Sequence, residues 1–223
     1  MALHDGSTTD RSARAWLAIA LVSLLGLVAL TVVVMNHVSL PFDQPWLATA
    51  MTWSAWNGVW SFFSDLGNLP MIPTGLGFVL WLLYKKRRRE ALLVLLIIAA
   101  ATATSEGLKA LVARPRPEGG GAGIPGVIYS YPSGHAFEDV MILGMIALTL
   151  WRRMRSRWIP WLFTILATVM VVFVCIARVA LGVHYPSDML AGLLGGFTVL
   201  GFYAWWSRPG AWADHPPRPG ARR

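Results

Sequence analysis

The 223-residue chain is 56% hydrophobic and only 13% charged, with a mean hydropathy of +0.54. A soluble domain carries about 25% charge, so this balance excludes one and defines a membrane protein. The net charge of +8 does not indicate a nucleic-acid partner, because the basic residues sit at the ends of apolar runs, where they set membrane orientation.

Apolar runs lie near 15–35, 66–84, 91–112, 136–151, 158–177 and 187–206. A spanning helix needs about 20 such residues. The prediction is an all-α integral membrane bundle of six transmembrane helices, one domain over 15–207. An N-terminal tail precedes it at 1–14, and a Pro/Gly-rich, disordered tail follows at 208–223. The first run, at 21 residues, exceeds a signal-peptide core and lacks a small-x-small cleavage site, so it reads as an uncleaved span. The fourth is short at 16 residues unless "SGH" lies at membrane depth. Between the first two spans, Trp46, Trp53, Trp56, Trp60 and Phe63 are spaced 7, 3, 4 and 3. That spacing predicts one aromatic stripe on an interfacial or bundle-plugging helix. Anchoring the fold and contacting a lipid substrate both fit it. Cys175, the sole cysteine, sits in an apolar run and reads as a small hydrophobe.

Fifteen of the 19 Lys and Arg residues flank the first run, fill the turns after the second and fourth (85–89 and 152–157), or follow the sixth. With six spans all these segments share one side, predicted to be cytoplasmic together with both termini. Lys109, Arg114, Arg116 and Arg178 fall on the opposite side and break that rule. Anion binding is one reason for them.

Three stretches reach that outer side: "KALVARPRPEGGGAGIPGVI", "YPSGHAFED" and "RVALGVHYPSD". They bring Lys109, Arg114, Arg116, Ser133, His135, Glu138, Asp139, Arg178, His184 and Asp188 to helix ends. Guanidinium groups match phosphate oxygens, and an ammonium adds a point charge. "PSGH" opens a helix whose first N–H groups form an anion site, with Gly134 allowing close approach. Two histidines can divide nucleophilic and acid work. Asp188, four residues after His184, can hold that imidazole in one tautomer. The combination fits phosphoryl transfer.

The three stretches resemble the K-x6-R-P, P-S-G-H and R-x5-H-x3-D motifs of the type 2 phosphatidic acid phosphatases. That superfamily also holds the vanadium haloperoxidases and glucose-6-phosphatase. The resemblance implies that Lys109, Arg116, Arg178, Ser133 and Gly134 hold phosphate. His184 would attack phosphorus to form a phosphohistidine, Asp188 would orient it, and His135 would protonate the leaving oxygen and then activate water. It further implies no metal and no cofactor. The partner is a membrane lipid phosphate in a bilayer, and oligomeric state stays open. Short loops and an outward site imply a bacterial inner-membrane enzyme acting on undecaprenyl diphosphate, with phosphatidylglycerophosphate and phosphatidic acid as alternatives.

The third-motif arginine usually follows a serine, and here it follows Ala177. Arg114 lies outside the motif, where it either touches a second phosphate or headgroup or sits in the interface. Glu106, one turn before Lys109, is expected to pair with it. Glu138 and Asp139 follow His135 by three and four residues, so one of them is expected to keep His135 protonated; a hydrated lip or helix N-terminal charge is the alternative. His4, His37 and His215 receive no role. A proton pathway is disfavoured because the charges gather at one face. A lipid phosphotransferase and a non-catalytic lipid-binding protein remain rivals that only an assay separates.

Overall fold

A computed structural model describes residues 6–38, 40–68, 71–117 and 129–207. The expected tail at 208–223 lies outside them. The described residues form α1 (Gly6–Met35), α2 (Asp43–Met51), a 3-10 turn (Ser54–Trp56), α3 (Asn57–Asn68) and α4 (Met71–Tyr84). They continue as α5 (Arg88–Val112), α6 (Gly134–Arg153), α7 (Trp158–Ala180) and α8 (Pro186–Trp206). Six stretches are long and apolar enough to cross a membrane: within α1, over α3 and α4 together, and α5 to α8. The protein is therefore an all-α integral membrane bundle.

Alpha-helices suit this setting because they satisfy their own backbone groups without water. Their outward side chains are apolar and open to hydrocarbon, such as Val22 and Leu25 at 69% exposure and Leu80 at 64%. α6 is the central element, packed on α8, α7, α5, α4 and α3. Its Phe137, Met141, Ile142 and Met145 form the core with Leu82, Val94 and Tyr203. α8 lies between α6 and α1.

The α6–α8 contact depends on glycine. A Cβ at Gly192 would stand 2.5 Å from the Ser133 carbonyl oxygen and 2.8 Å from the Ala136 Cβ. Backbone atoms cannot yield as a side-chain tip can. Gly192→Ala is thus expected to destabilise the protein by about 1–3 kcal/mol, read as a lower unfolding temperature in detergent. An unchanged melting curve would contradict this close approach.

The two ends of the bundle differ in chemistry. At one end Glu90 joins Arg87 at 2.5 Å and Arg153 at 2.6 Å, while Arg152 donates to the Ser207 carbonyl at 2.7 Å. The basic turns and the end of α8 are therefore neighbours. At the other end, Ser133 N–H donates to the Asp188 carbonyl at 3.0 Å, joining the starts of α6 and α8. Pro115 and Tyr129 pair in one antiparallel bridge, which brackets residues 118–128.

The aromatic segment differs from the expected single helix. Thr52 turns its hydroxyl back onto the Thr49 carbonyl at 2.6 Å, a local bond that competes with helix continuation, and the chain tightens into the 3-10 turn. The stripe is divided as a result. Phe63 stacks on Phe173 of α7 at 4.6 Å and Trp60 pairs with Trp53 at 6.0 Å, while Trp46 and Trp56 are exposed. At the N-terminus, α1 begins at Gly6, so helix extends through most of the segment predicted as a tail.

Candidate active site

The site begins at the start of α6. Ser133 is the residue before the first helical turn, a position where serine commonly caps. Here its hydroxyl makes no cap bond, is buried, and has no protein partner. Gly134 follows with its open face toward Lys109: a Cβ there would lie 3.4 Å from Lys109 Nζ. Nε2 of His135 is also buried without a protein partner. The groups close enough to act on His135 electrostatically are Arg178, His184, Lys109 and Arg116. These come from α7, the segment between α7 and α8, α5, and the segment after α5. The fold has brought all three sequence stretches together.

α8 supplies the second half. Pro186 opens the helix, and Asp188 Oδ2 accepts the Tyr185 N–H at 2.8 Å in a capping arrangement. The same oxygen stands 3.5 Å from Nδ1 of His184, a long contact that leaves room to tighten when charge develops on the ring. His184 is 2% exposed. Burial pushes its pKa down to about 4, Asp188 opposes that shift, and Arg178 and Arg116 add to it. The ring is neutral at pH 7. With Asp188 on the Nδ1 edge, Nε2 is the nitrogen that it leaves unengaged.

The cations are held but not exhausted. Arg178 donates to Ser64 Oγ at 2.9 Å and Arg116 to the Val183 carbonyl at 2.7 Å, yet the Nε of each is buried without a protein partner. Burial lowers the Arg116 pKa against the pull of Asp188. Lys109 pairs with Glu106 at 2.6 Å, as the spacing predicts. Ser105 Oγ lies on the same side of α5, near the Gly134 backbone, and is also buried without a partner.

Other expectations change. Arg114 is held between two carboxylates. Its Nη1 donates to Asp188 Oδ1 at 2.6 Å and to Ser187 Oγ at 2.7 Å, and its Nη2 to Asp43 Oδ2 at 2.8 Å. Burial disfavours its charge, but Asp188 and Asp43 outweigh that and the Arg114 pKa is raised. Neither Glu138 nor Asp139 is among the groups that act on His135. Glu138 turns to Thr102 and Lys109 of α5. Asp139 is fully buried with both oxygens unpartnered, pressed toward Gly67 and Val174. Helices on both flanks of α6 split the two carboxylates, so among the described residues no carboxylate acts on His135.

Sequence reasoning missed Ser64 and Ser105, which meet Arg178 and the Gly134 backbone from α3 and α5, and Asp43, which meets Arg114 and Ser187 from α2. Only Asp43 left a signal, as an isolated acid beyond the C-terminal end of the first span. Among the described residues no group of three His, Cys, Asp or Glu side chains is placed to hold a metal ion.

Fold and site together define a polytopic helical membrane protein with a buried cationic cluster around two histidines at one face. Residues 90–211 match the family model described as PAP2 superfamily. The chain belongs to that superfamily. Among solved structures it is similar to a transmembrane PAP2-type phosphatidylglycerophosphate phosphatase from Bacillus subtilis, at a TM-score of 0.67 and 23% identity, covering 80% of this chain and 92% of that one. Comparison with curated proteins finds no match.

Proposed function

We propose that this protein is a membrane lipid phosphatase that cleaves a phosphate ester or anhydride through a phosphohistidine on His184. The observation that carries the reading is the set of buried, unpartnered polar atoms, Ser133 Oγ, Arg116 Nε and Arg178 Nε, on the groups that surround His135 and His184. Burying such atoms without partners costs about 1–3 kcal/mol each. A phosphoryl group offers acceptors for all of them.

In this reading Lys109, Arg116, Arg178, Ser133 Oγ and the Gly134 N–H hold the phosphoryl oxygens. Nε2 of His184 attacks phosphorus, an N–P bond forms, and the bond from phosphorus to the leaving oxygen breaks. Asp188 stabilises the charge that develops on the ring. His135 gives its proton to the leaving oxygen. It then takes a proton from water, and the hydroxide attacks phosphorus, breaks the N–P bond and releases inorganic phosphate. The anion that balances a protonated His135 is the substrate itself, because the facing charges among the described residues are cationic.

Substrate, membrane and orientation complete the proposal. The basic turns face the cytoplasm of a bacterial plasma membrane and the histidines the periplasmic or extracellular side. Undecaprenyl diphosphate is the first candidate substrate, because it presents its diphosphate on that side. Phosphatidylglycerophosphate, supported by the B. subtilis likeness, and phosphatidic acid are the others. Purified protein presented with these three lipids in mixed micelles is expected to release inorganic phosphate from at least one. No release from any would refute the reading, and phosphorylated acceptor lipids would replace hydrolysis with transfer.

Because burial holds His184 neutral, its acid limb is expected near pH 4, well below that of an ordinary histidine. The sign follows from the role: the attacking ring must be deprotonated, so activity persists as pH falls from 7 and is lost through about 4. kcat/KM for phosphate release across the acid range checks this. A limb centred near the ordinary value of about 6.5 would contradict it.

A further inference from the structure

Asp43 lies outside every motif, at the start of α2, and its carboxylate is buried and fully engaged. Its Oδ1 accepts the Ser187 backbone N–H at 2.9 Å. Its Oδ2 accepts the Ser187 hydroxyl at 2.6 Å and Arg114 Nη2 at 2.8 Å. Arg114 in turn grips Asp188 Oδ1 at 2.6 Å, and its guanidinium lies over the Tyr185 ring at 4.1 Å. Asp43 thus fixes Arg114, which touches the far side of Asp188, and Ser187, whose hydroxyl also accepts from Arg114 Nη1 at 2.7 Å.

Two consequences follow for His184. The first is geometric. Asp188 Oδ1 is committed to Arg114, so Oδ2 alone is left for the Tyr185 N–H and the imidazole. The carboxylate can rotate only if Arg114 moves, and Asp43 and Ser187 prevent that. The second is electrostatic. A guanidinium paired with Asp188 alone would cancel the charge that steadies an imidazolium. Two carboxylates sharing one guanidinium leave a net negative charge beside the ring.

We propose that Asp43 is a positioning residue that acts through Arg114 and Ser187 to hold Asp188 against the Nδ1 edge of His184. This rests on the reading of His184 as the attacking group. Asp43→Asn removes the charge and turns an amide donor toward groups that are themselves donors. It does so without altering any residue that meets phosphate.

The experiment uses the full chain purified in detergent. Asp43→Asn is expected to lower kcat for phosphate release by about 10–100-fold, with KM changed by less than about twofold. In an Arg114→Gln background the same change is expected to cost less than about threefold more, because residues acting as one unit are not additive. A wild-type kcat in Asp43→Asn, or effects that multiply, would overturn the proposal. A second readout needs no turnover: nitrogen NMR of the histidine rings at neutral pH, with the His184 signals assigned by His184→Gln. The wild type is expected to hold the Nδ1–H tautomer, and Asp43→Asn to populate the Nε2–H form as well. An unchanged tautomer in Asp43→Asn would overturn the proposal. If the wild type hydrolyses none of the lipids, the phosphatase reading fails, while the ring spectra still decide whether Asp43 positions His184. Should Asp43→Asn not fold, Ser187→Ala removes one of its three hydrogen bonds, the one from the hydroxyl to Oδ2, and is expected to mix the tautomers in the same direction; an unmixed Nδ1–H form there would overturn the proposal.

Discussion

Replacing His184 with alanine is expected to reduce phosphate release by at least about 10⁴-fold, equivalent to roughly 5.5 kcal/mol of barrier. Binding of the lipid should persist, because the cationic groups remain. The loss is this large because, among the described residues, no other side chain in the site combines a neutral imidazole with a carboxylate on its far edge. His135 is surrounded by cations and lacks such a partner. Acid quenching during turnover and mapping of the phosphorylated peptide provide the direct check. The phosphoryl group is expected on the peptide that holds His184. Its recovery on the peptide that holds His135 would reverse the two roles. Turnover that survives His184→Ala would remove the phosphohistidine altogether, and full lipid binding with no wild-type turnover would leave a binding protein.

The second large effect is expected at Asp188. Asp188→Asn should lower kcat by about 10³-fold and also destabilise the protein by roughly 3 kcal/mol. Both parts follow from its contacts. One oxygen accepts from Arg114 and the other from the Tyr185 N–H while facing His184. An asparagine must point its NH₂ at one of these donors, and it leaves Arg114 buried with less counter-charge. If the amide faces the ring, it also favours the wrong tautomer. Steady-state kinetics with thermal unfolding in the same detergent separates the two losses. A kcat that falls only as far as the folded fraction falls would reduce Asp188 to a structural role.

Much of this organisation is legible along the chain because the bilayer constrains it. Hydrocarbon thickness sets the length of an apolar run, so helices could be placed from run length alone. The short fourth run resolves in the same terms: α6 extends from Gly134 to Arg153, with the histidine inside its first turn. The Lys109–Glu106 pair was also legible, since residues three apart share a helix face. The aromatic stripe was not, because α2 ends at Met51 and a 3-10 turn at Ser54–Trp56 breaks the period that the spacing implied. Glu138 and Asp139 show the limit of periodicity. Three- and four-residue spacing places both near His135, but neighbouring helices pull them to opposite flanks.

By itself, the sequence determined that the chain is a membrane bundle, which ends of its helices carry charge, and which residue types wait there. Those properties are local: hydropathy, run length and the order of motifs. Only the tertiary structure decided what each charge faces. Arg114 and Arg116 lie two positions apart in one short segment, yet the first is held by two carboxylates and the second directs its buried Nε elsewhere without a partner. Asp43 and Ser187 are 144 residues apart and meet only because α8 packs against the starts of α2 and α6. Electrostatic environment depends on distance in space and on exclusion of water, and neither is written in the spacing of residues along a chain.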